Sequence, residues 1–265
     1  MPATSQNTRQ RHAGTNQGQL TLSGIGSWRV RTARLALGIA VAVGVTAVTA
    51  RPAAATATCP TVAYGGTVTP VPQPGVDWSH CNLANASLYD DNFDNANLSG
   101  AILTGADLYG SSLSQTDLTG ADLAGATIEY ADLGFANLTN AKLTSAKLDD
   151  SVLTRATVTG ANLTGASLYN VTSGGLFGSA AVLPSDWAEV GGFLFGPNAS
   201  ASNASLSGLS LAHLDLTGVN FAGADLTGAD LRGSKLVKAD LNTANLKNAT
   251  SPAPISPGPI SPAPP

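Results

Sequence analysis

The sequence predicts an all-β solenoid in which short extended segments turn and stack on one another. Three observations lead to this fold class: a large apolar residue recurs at every fifth position, a small residue lies two positions before most of them, and turn-forming pairs follow them. A helix would repeat its apolar residues about every 3.6 residues and a half-buried strand every second residue. The period of five therefore belongs to a larger shape than either.

Each five-residue unit has one inward and one outward face. The stretch 106–125 shows the pattern, with its large residues at Leu108, Leu113, Leu118 and Leu123. Ala106 and Ala121 lie two positions before such a leucine, and an Asp separates each pair. Because residues two apart lie on the same side of an extended chain, the leucine and the alanine point inward and the Asp points outward.

The remaining two residues of each unit form turns. Pairs such as Thr104-Gly105, Thr119-Gly120 and Thr159-Gly160 supply a hydroxyl and a glycine where the backbone must bend. One unit is too short to bury its own leucine, so successive units must stack to share a continuous core.

This A-[D/N]-L-x-x pattern resembles the pentapeptide repeat family. The resemblance covers two runs, residues 76–170 and 204–249. It implies a right-handed quadrilateral β-helix with four pentapeptides in each coil. A shared fold does not imply a shared activity, so function must be argued from the residues themselves.

The N-terminus is typical of a signal peptide. Arg29, Arg31 and Arg34 precede an apolar stretch at 35–48, and an A-x-A site follows at 55–57. We expect cleavage after residue 57, which makes residues 1–57 a leader and the mature protein secreted or associated with the cell wall. The alternative is an uncleaved anchor helix, for which the apolar stretch is short.

The charge of the mature chain argues against two classes of partner. Without residues 1–57 the chain keeps seven Lys and Arg residues and all seventeen Asp and Glu residues, a net charge of −10. Nucleic acids and anionic membranes both require a basic surface. We therefore expect no nucleic-acid partner, and no membrane contact after the leader is removed.

Cys59 and Cys81 are the only cysteines. In an oxidising compartment they can form a disulfide that holds residues 58–75 as a cap over the first coil. Alternatively, Cys81 is a buried thiol that replaces the usual alanine at an inward position.

Two further segments lack the repeat. Residues 171–203 interrupt it, and a Gly-Gly pair between two apolar stretches predicts an inserted hairpin packed against the solenoid. Residues 250–265 are rich in proline, which cannot donate to a strand ladder, so a disordered spacer is expected there.

The sequence contains no recognisable catalytic or cofactor-binding motif. No phosphate-binding loop, dinucleotide fingerprint, zinc spacing or nucleophile elbow occurs, and His80 and His213 lie at separate turns. The prediction is a protein that is not an enzyme and uses no metal or cofactor.

One side of the predicted coil differs from the others. With four units per coil, residues twenty apart fall in line, and one line of turns combines aromatic and acidic side chains. Its members are Tyr89, Asp90, Tyr109, Glu129, Tyr130, Asp149, Asp150 and Tyr169. Tyrosine gives contact area at low entropic cost and acids attract cationic partners, so the line is a candidate interaction face. Alternatively, the tyrosines only stack and stabilise the coil.

These features predict a non-enzymatic, exported solenoid that presents a surface to an unknown extracellular or cell-envelope partner. The family resemblance implies an alternative, because some cytosolic pentapeptide repeat proteins mimic DNA and bind topoisomerase. That function is open to this chain only if the leader is not used.

Overall fold

The computed structural model describes residues 58–180 and 182–250, which stack as successive coils. Pairing joins residues twenty positions apart, as in Asp117 with Asn137 and Asp122 with Lys142, and these bridges are parallel. Four units of five residues therefore make one coil. The predicted leader at 1–57 and residues 251–265 of the predicted tail lie outside the described residues.

The coil has four sides, which we call walls 1 to 4 and identify by their outward residues. Those at the middle of the first run are Asp117 and Asn137 on wall 1, Asp122 and Lys142 on wall 2, Thr127 and Lys147 on wall 3, and Asp132 and Val152 on wall 4. Within the described ranges no helix is long and apolar enough to cross a membrane.

Backbone hydrogen bonds run in both directions along the stack. The Leu118 amide donates to the Asn137 carbonyl of the next coil at 2.8 Å, and the Asp117 amide donates to the Ala96 carbonyl of the previous coil at 2.9 Å. Across the turn, the Ala121 amide donates to the Leu118 carbonyl at 3.0 Å. Each unit is thus fixed to both neighbouring coils as well as to the unit that follows it.

The interior is filled by the leucines and alanines of the repeat. Leu118, Leu133 and Leu138 are fully buried, as the sequence pattern predicts. Ser111 and Thr116 take the small inward position in their units, and their hydroxyls donate to the carbonyls of Leu88 and Phe93, each at 2.6 Å. Polar side chains are tolerated inside because their hydrogen bonds are made.

The N-terminal segment closes the first coil. Strands β1 (Thr61–Val62) and β2 (Val68–Thr69) form an antiparallel hairpin. Val68 is buried in the core of the first run, and the Ser87 amide donates to the Gly66 carbonyl at 2.8 Å. Residues 58–75 therefore continue the core and the hydrogen-bonded ladder beyond the first repeat.

Of the two alternatives for the cysteines, the structure contains the disulfide. Cys59 and Cys81 are joined, with their Cα atoms 5.3 Å apart. Cys81 is fully buried at the small inward position of its unit. The bond therefore ties the N-terminal segment to the interior of the first coil.

The ladder passes both predicted boundaries of the insertion. Phe177 and Val182 still pair with Thr157 and Asn162, although the first run was expected to end at 170. Thr172 then pairs with Ser200, so the second run begins before residue 204. The sequence pattern fails here because Leu176 occupies the small position, while Ser173 and Gly178 stand where the large apolar residues are expected. The backbone pairing nevertheless continues.

The insertion contains a short hairpin. Strands β3 (Ala188–Val190) and β4 (Phe193–Phe195) pair antiparallel around a Gly-Gly turn. Leu194 is buried in the core of the first run and Phe195 in that of the second. The Asn170 amide donates to the Asn198 carbonyl at 2.9 Å. The segment that follows the hairpin therefore supplies the missing side of the coil.

We predict that Leu133→Asp destabilises the protein far more than Thr104→Asp. Leu133 is fully buried, so the variant forces a carboxylate into an apolar interior, at a cost of several kcal/mol in the free energy of unfolding. The Thr104 side chain is exposed at a turn, so its variant changes stability by no more than about 0.5 kcal/mol. Thermal unfolding of the two variants tests the inward assignment, and equal melting temperatures would contradict it.

Candidate functional site

The corner between walls 3 and 4 carries the line of aromatic and acidic turns, which we call the tyrosine stripe. The structure places all eight predicted residues at this corner, in two adjacent columns. The first column contains Tyr89, Tyr109, Glu129, Asp149 and Tyr169, and the second contains Asp90, Gly110, Tyr130, Asp150 and Asn170.

Backbone hydrogen bonds between successive coils hold the columns in register. The Asp90 amide donates to the Tyr109 carbonyl at 2.8 Å, and the Tyr130 amide donates to the Asp149 carbonyl at 3.0 Å. Neighbouring members of a column are therefore one strand spacing apart, about 4.8 Å. The stripe runs along the stack over five successive coils.

The tyrosines of the stripe are exposed. Their exposed fractions are 61% for Tyr89, 44% for Tyr109, 58% for Tyr130 and 56% for Tyr169. The rings of Tyr109 and Tyr130 lie side by side, with centroids 5.2 Å apart. The corner thus presents aromatic surface to solvent on a hydrogen-bonded backbone.

Gly110 shapes the N-terminal part of the stripe. Its φ of 66° lies in the left-handed region, and a Cβ at this position would come within 2.3 Å of the Asp90 carboxylate. The glycine therefore allows the turn and also leaves room for the Asp90 side chain above it.

Two of the four carboxylates maintain the corner itself. Asp149 accepts hydrogen bonds from the Tyr169 amide at 2.7 Å and from the Ser167 hydroxyl at 2.5 Å. Asp150 accepts one from the Asn170 side-chain amide at 2.7 Å. Both carboxylates are therefore occupied by neighbouring coils.

The other two carboxylates are not used in this way. Asp90 is exposed and Glu129 is partly exposed, and neither side chain makes a hydrogen bond within the residues that the structure describes. These two acids are the ones available to a partner.

The environment shifts the pKa of two groups at the corner. A hydrogen bond to Asp150 raises the pKa of the Tyr130 phenol above its ordinary value, and the charge on the same carboxylate acts in the same direction. Burial raises the pKa of Asp91, which takes an inward position beside the stripe, and the charge on Asp90 adds to the effect. In both cases the protonated form is favoured.

A groove opens at the N-terminal end of the stripe. Its volume is about 320 Å³, and the N-terminal segment forms one side of it. The lining residues are Thr67, Val68, Val71, Pro72, Ser87, Tyr89 and Asp91. Sequence reasoning missed this groove because it depends on how residues 58–75 fold back over the coil.

The sequence analysis also missed an exposed aromatic residue on wall 4. Phe135 lies at the opposite edge of wall 4 and is 53% exposed, and the Arg155 guanidinium lies 5.5 Å from its ring centroid. The twenty-residue register contains the necessary signal, because it places Phe135 at a turn where most coils carry a small or polar residue. Wall 4 therefore has exposed aromatic groups along both edges.

The charge distribution along the chain makes this end of the stack acidic. Residues 58–141 contain nine Asp and Glu residues and no Lys or Arg. Tyr89, Tyr109 and Tyr130 all lie in this part of the chain. A positively charged group that approaches these three tyrosines therefore meets an acidic surface.

A separate cavity of about 300 Å³ lies between the insertion and the second run. It brings together Asp186, Trp187, His213, Asp215 and Lys235. The Asp215 carboxylate accepts hydrogen bonds from Thr217 and from the Lys235 ammonium group, which lower its pKa. In the described part of the chain His213 makes no side-chain hydrogen bond, and no cluster of three metal-ligating side chains occurs.

Comparison with known families decides the identity of the fold. The model for pentapeptide repeats matches eight copies, at residues 101–134, 131–170, 198–233 and 224–250. These residues therefore form pentapeptide repeats of the family that the model describes. The coil is therefore the all-β, right-handed quadrilateral β-helix of that family, and the resemblance predicted from the sequence is confirmed.

Solved pentapeptide repeat structures resemble this chain. HetL, involved in heterocyst differentiation regulation in the cyanobacterium Nostoc sp. strain PCC 7120, is 28% identical over 68% of this chain and 84% of its own, with a TM-score of 0.34. A protein from the Arabidopsis thaliana thylakoid lumen is 35% identical over 37% of this chain and 65% of its own, with a TM-score of 0.32. QnrB1, a plasmid-mediated fluoroquinolone resistance protein, is 20% identical over 60% of this chain and 73% of its own, with a TM-score of 0.28. No curated protein sequence matches this chain.

We predict that the Tyr130 phenol of this pentapeptide repeat protein titrates above its ordinary pKa, because the neighbouring Asp150 carboxylate favours the protonated form. Asp150→Asn should lower that pKa, whereas Glu129→Gln should lower it less, since Glu129 has the smallest effect on it. Phenolate absorbance against pH measures both variants. A larger shift in Glu129→Gln would contradict the assignment.

The same hydrogen bond has a defined effect on stability. The folded pKa of Tyr130 is raised above the ordinary value of 10.0, so above that pH the unfolded chain ionises first. The stabilisation is present below about pH 10 and is lost as the pH rises through the folded pKa.

Proposed function

We propose that this pentapeptide repeat protein is an exported, non-enzymatic scaffold whose tyrosine stripe binds a cationic surface of an extracellular or cell-envelope protein. The observation that carries the proposal is the alignment of four exposed tyrosines along one corner of the coil. An exposed aromatic side chain is common, but four of the five tyrosines at one corner form a concentrated contact surface.

The corner is suited to recognition because little of it must become ordered on binding. Backbone hydrogen bonds to the neighbouring coil fix each turn, and Asp149 and Asp150 add further hydrogen bonds. A partner therefore immobilises few additional groups, which reduces the entropic cost of association.

The acids of the stripe favour a partner that carries Lys or Arg. Asp90 and Glu129 can pair with cations, and the tyrosine rings accept cations over their faces. A nucleic acid or an anionic lipid surface would instead be repelled by a mature chain with a net charge of −10.

Export is supported by the leader pattern and by the cysteines. The arginines and apolar stretch of residues 1–57 are typical of a signal peptide, and the disulfide between Cys59 and Cys81 suits an oxidising compartment. The alternative is an acidic, DNA-mimicking protein that binds a topoisomerase, which requires that the leader is not used.

Cell fractionation separates these two functions. We expect the mature protein outside the cytoplasm, with an N-terminus near Thr58, because the A-x-A site lies at residues 55–57. N-terminal sequencing of the native product measures this directly. Full-length protein confined to the cytosol would contradict export and favour the topoisomerase alternative.

Replacing Tyr109 and Tyr130 together with Ser tests the stripe. Both rings are exposed, so we expect only the small loss of thermal stability that removal of the Tyr130–Asp150 interaction causes, and at least a tenfold loss of affinity for a Lys- and Arg-rich peptide probe. Binding to the wild type should weaken as salt increases, since the attraction is electrostatic.

Tyr64→Ser is the matched control for this experiment. Tyr64 is fully exposed at the tip of the N-terminal hairpin, away from the stripe. The Tyr64→Ser variant should bind the peptide probe as tightly as the wild type does. If the double variant instead loses stability and keeps its affinity, the tyrosines are a structural ladder and the proposed interaction face is wrong.

A further inference from the structure

The groove at the N-terminal end of the tyrosine stripe contains a carboxylate in an unusual place. Asp91 lines this groove from a small inward position of its unit, and every other such position from 76 to 176 carries an uncharged residue. One coil later the same position is Ser111, which is fully buried and donates to the Leu88 carbonyl at 2.6 Å. The Asp91 side chain makes no hydrogen bond in the described part of the chain. The packing of the coil therefore gives no reason for a carboxylate at this position.

The Asp91 carboxylate is accessible and lacks a counter-charge. Every fully buried side-chain oxygen among the described residues has a hydrogen-bond partner, so the unbonded oxygens of Asp91 must reach solvent. Burial of the side chain and the charge on Asp90 both raise the pKa of Asp91, an effect that a nearby cation would oppose. Residues 58–141 contain no Lys or Arg. A cation that compensates this carboxylate therefore has to come from outside this end of the stack.

Apart from Asp91, most of the lining is apolar and suits an alkyl chain. Val68 and Pro72 are buried, whereas Val71 and Tyr89 are 63% and 61% exposed. The volume of about 320 Å³ lies at the low end of the range for small-molecule sites, roughly 300 to 1,000 Å³, which is suitable for one long side chain. A lysine combines a four-carbon stem that packs on apolar surface with a compact charge at its tip.

The backbone on both sides of the groove is fixed to the coil. The Ser87 amide donates to the Gly66 carbonyl at 2.8 Å, and the Gly75 amide donates to the Asp94 carbonyl at 2.7 Å. The disulfide to Cys81 adds a covalent connection to the same segment. A side chain that enters the groove therefore orders little of the N-terminal segment, which keeps the entropic cost of binding low.

We propose that this groove binds a lysine side chain of the protein partner, with the alkyl stem between Val71 and Tyr89 and the ammonium group at Asp91. The inference rests on the proposed function, because it names the group by which the cationic partner is held. An ammonium group has three donors, and the groove offers the Asp91 carboxylate and the hydroxyls of Thr67 and Ser87 as acceptors. Neither hydroxyl makes a hydrogen bond within the residues that the structure describes. An arginine would bring a planar fork of five donors, more than these acceptors match.

The test compares two peptides of equal length and charge with blocked termini, one with lysine as its only cation and one with arginine. Titrated against the full chain, the lysine peptide should bind several-fold more tightly than the arginine peptide. Asp91→Asn removes the charge with little change of shape and should weaken the lysine peptide at least about tenfold. The matched control is Asp117→Asn on wall 1, a column that already contains Asn97 and Asn137. This control should stay within about twofold of the wild type.

Val71→Ser is a second variant that leaves the carboxylate in place. Because Val71 is 63% exposed, its variant should keep the melting temperature of the wild type. Its affinity for the lysine peptide should fall about threefold, since apolar contact with the lysine stem is lost. Asp91→Asn should melt no lower than the wild type, because the carboxylate makes no hydrogen bond within the described residues. If Asp91→Asn does not fold and Val71→Ser binds like the wild type, the inference is wrong.

Two further results would overturn the inference and leave the proposed function in place. One is an equal loss of affinity in Asp91→Asn and Asp117→Asn, which would make net charge responsible; the other is an arginine peptide that binds as tightly as the lysine peptide. In both cases the Tyr109→Ser, Tyr130→Ser double variant still loses affinity. If that double variant keeps its affinity while Asp91→Asn loses it, the groove binds lysine and the stripe is not the interaction face. If the wild type binds neither peptide, the proposed function and this inference both fail.

Discussion

Pairing between residues twenty apart is the constraint on which the rest of this structure depends. Each unit donates to the previous coil and to the next one, as Asp117 and Leu118 do, so the chain cannot slip at one unit without breaking bonds on two sides. Register then decides which side chains face inward and which turn residues align. The leucine core and the tyrosine stripe are two results of that one register.

The sequence predicted much of the fold because the inward pattern is simple. Leu118 and Leu133 belong to the series of large residues that recurs every five positions, and this period is sufficient to predict that they face inward. The predicted limits of the two runs, residues 170 and 204, rest on the leucine pattern alone. The ladder follows the backbone instead and includes Phe177 and Val182. A leucine at the small position, Leu176, with Ser173 and Gly178 at the large positions, removes the sequence signal without removing the coil.

The candidate site was predictable in position but not in the roles of its acids. Asp90 and Asp150 stand in the same column, and the sequence treats them alike. The structure separates them, because Asp150 binds Asn170 and Tyr130 while Asp90 lies over a glycine and makes no hydrogen bond within the described residues. Such differences depend on the neighbour twenty residues away. The groove beside Tyr89 depends in addition on the hairpin of residues 58–75, for which no repeat pattern exists.

The two ends of the coil meet the same physical requirement with different means. A solenoid buries each layer under the next, so its first and last layers expose apolar side chains and unpaired backbone groups unless something else covers them. At the N-terminal end Trp78 packs against Phe93, Val68 joins the core, and the disulfide to Cys81 holds the covering segment in place. At the other end the last pairing among the described residues joins Asp230 to Thr250, and Leu246 is 41% exposed. An added coil would only move this exposure outward, so the end of a solenoid needs a cover that does not repeat, as the hairpin of residues 58–75 is at the N-terminal end.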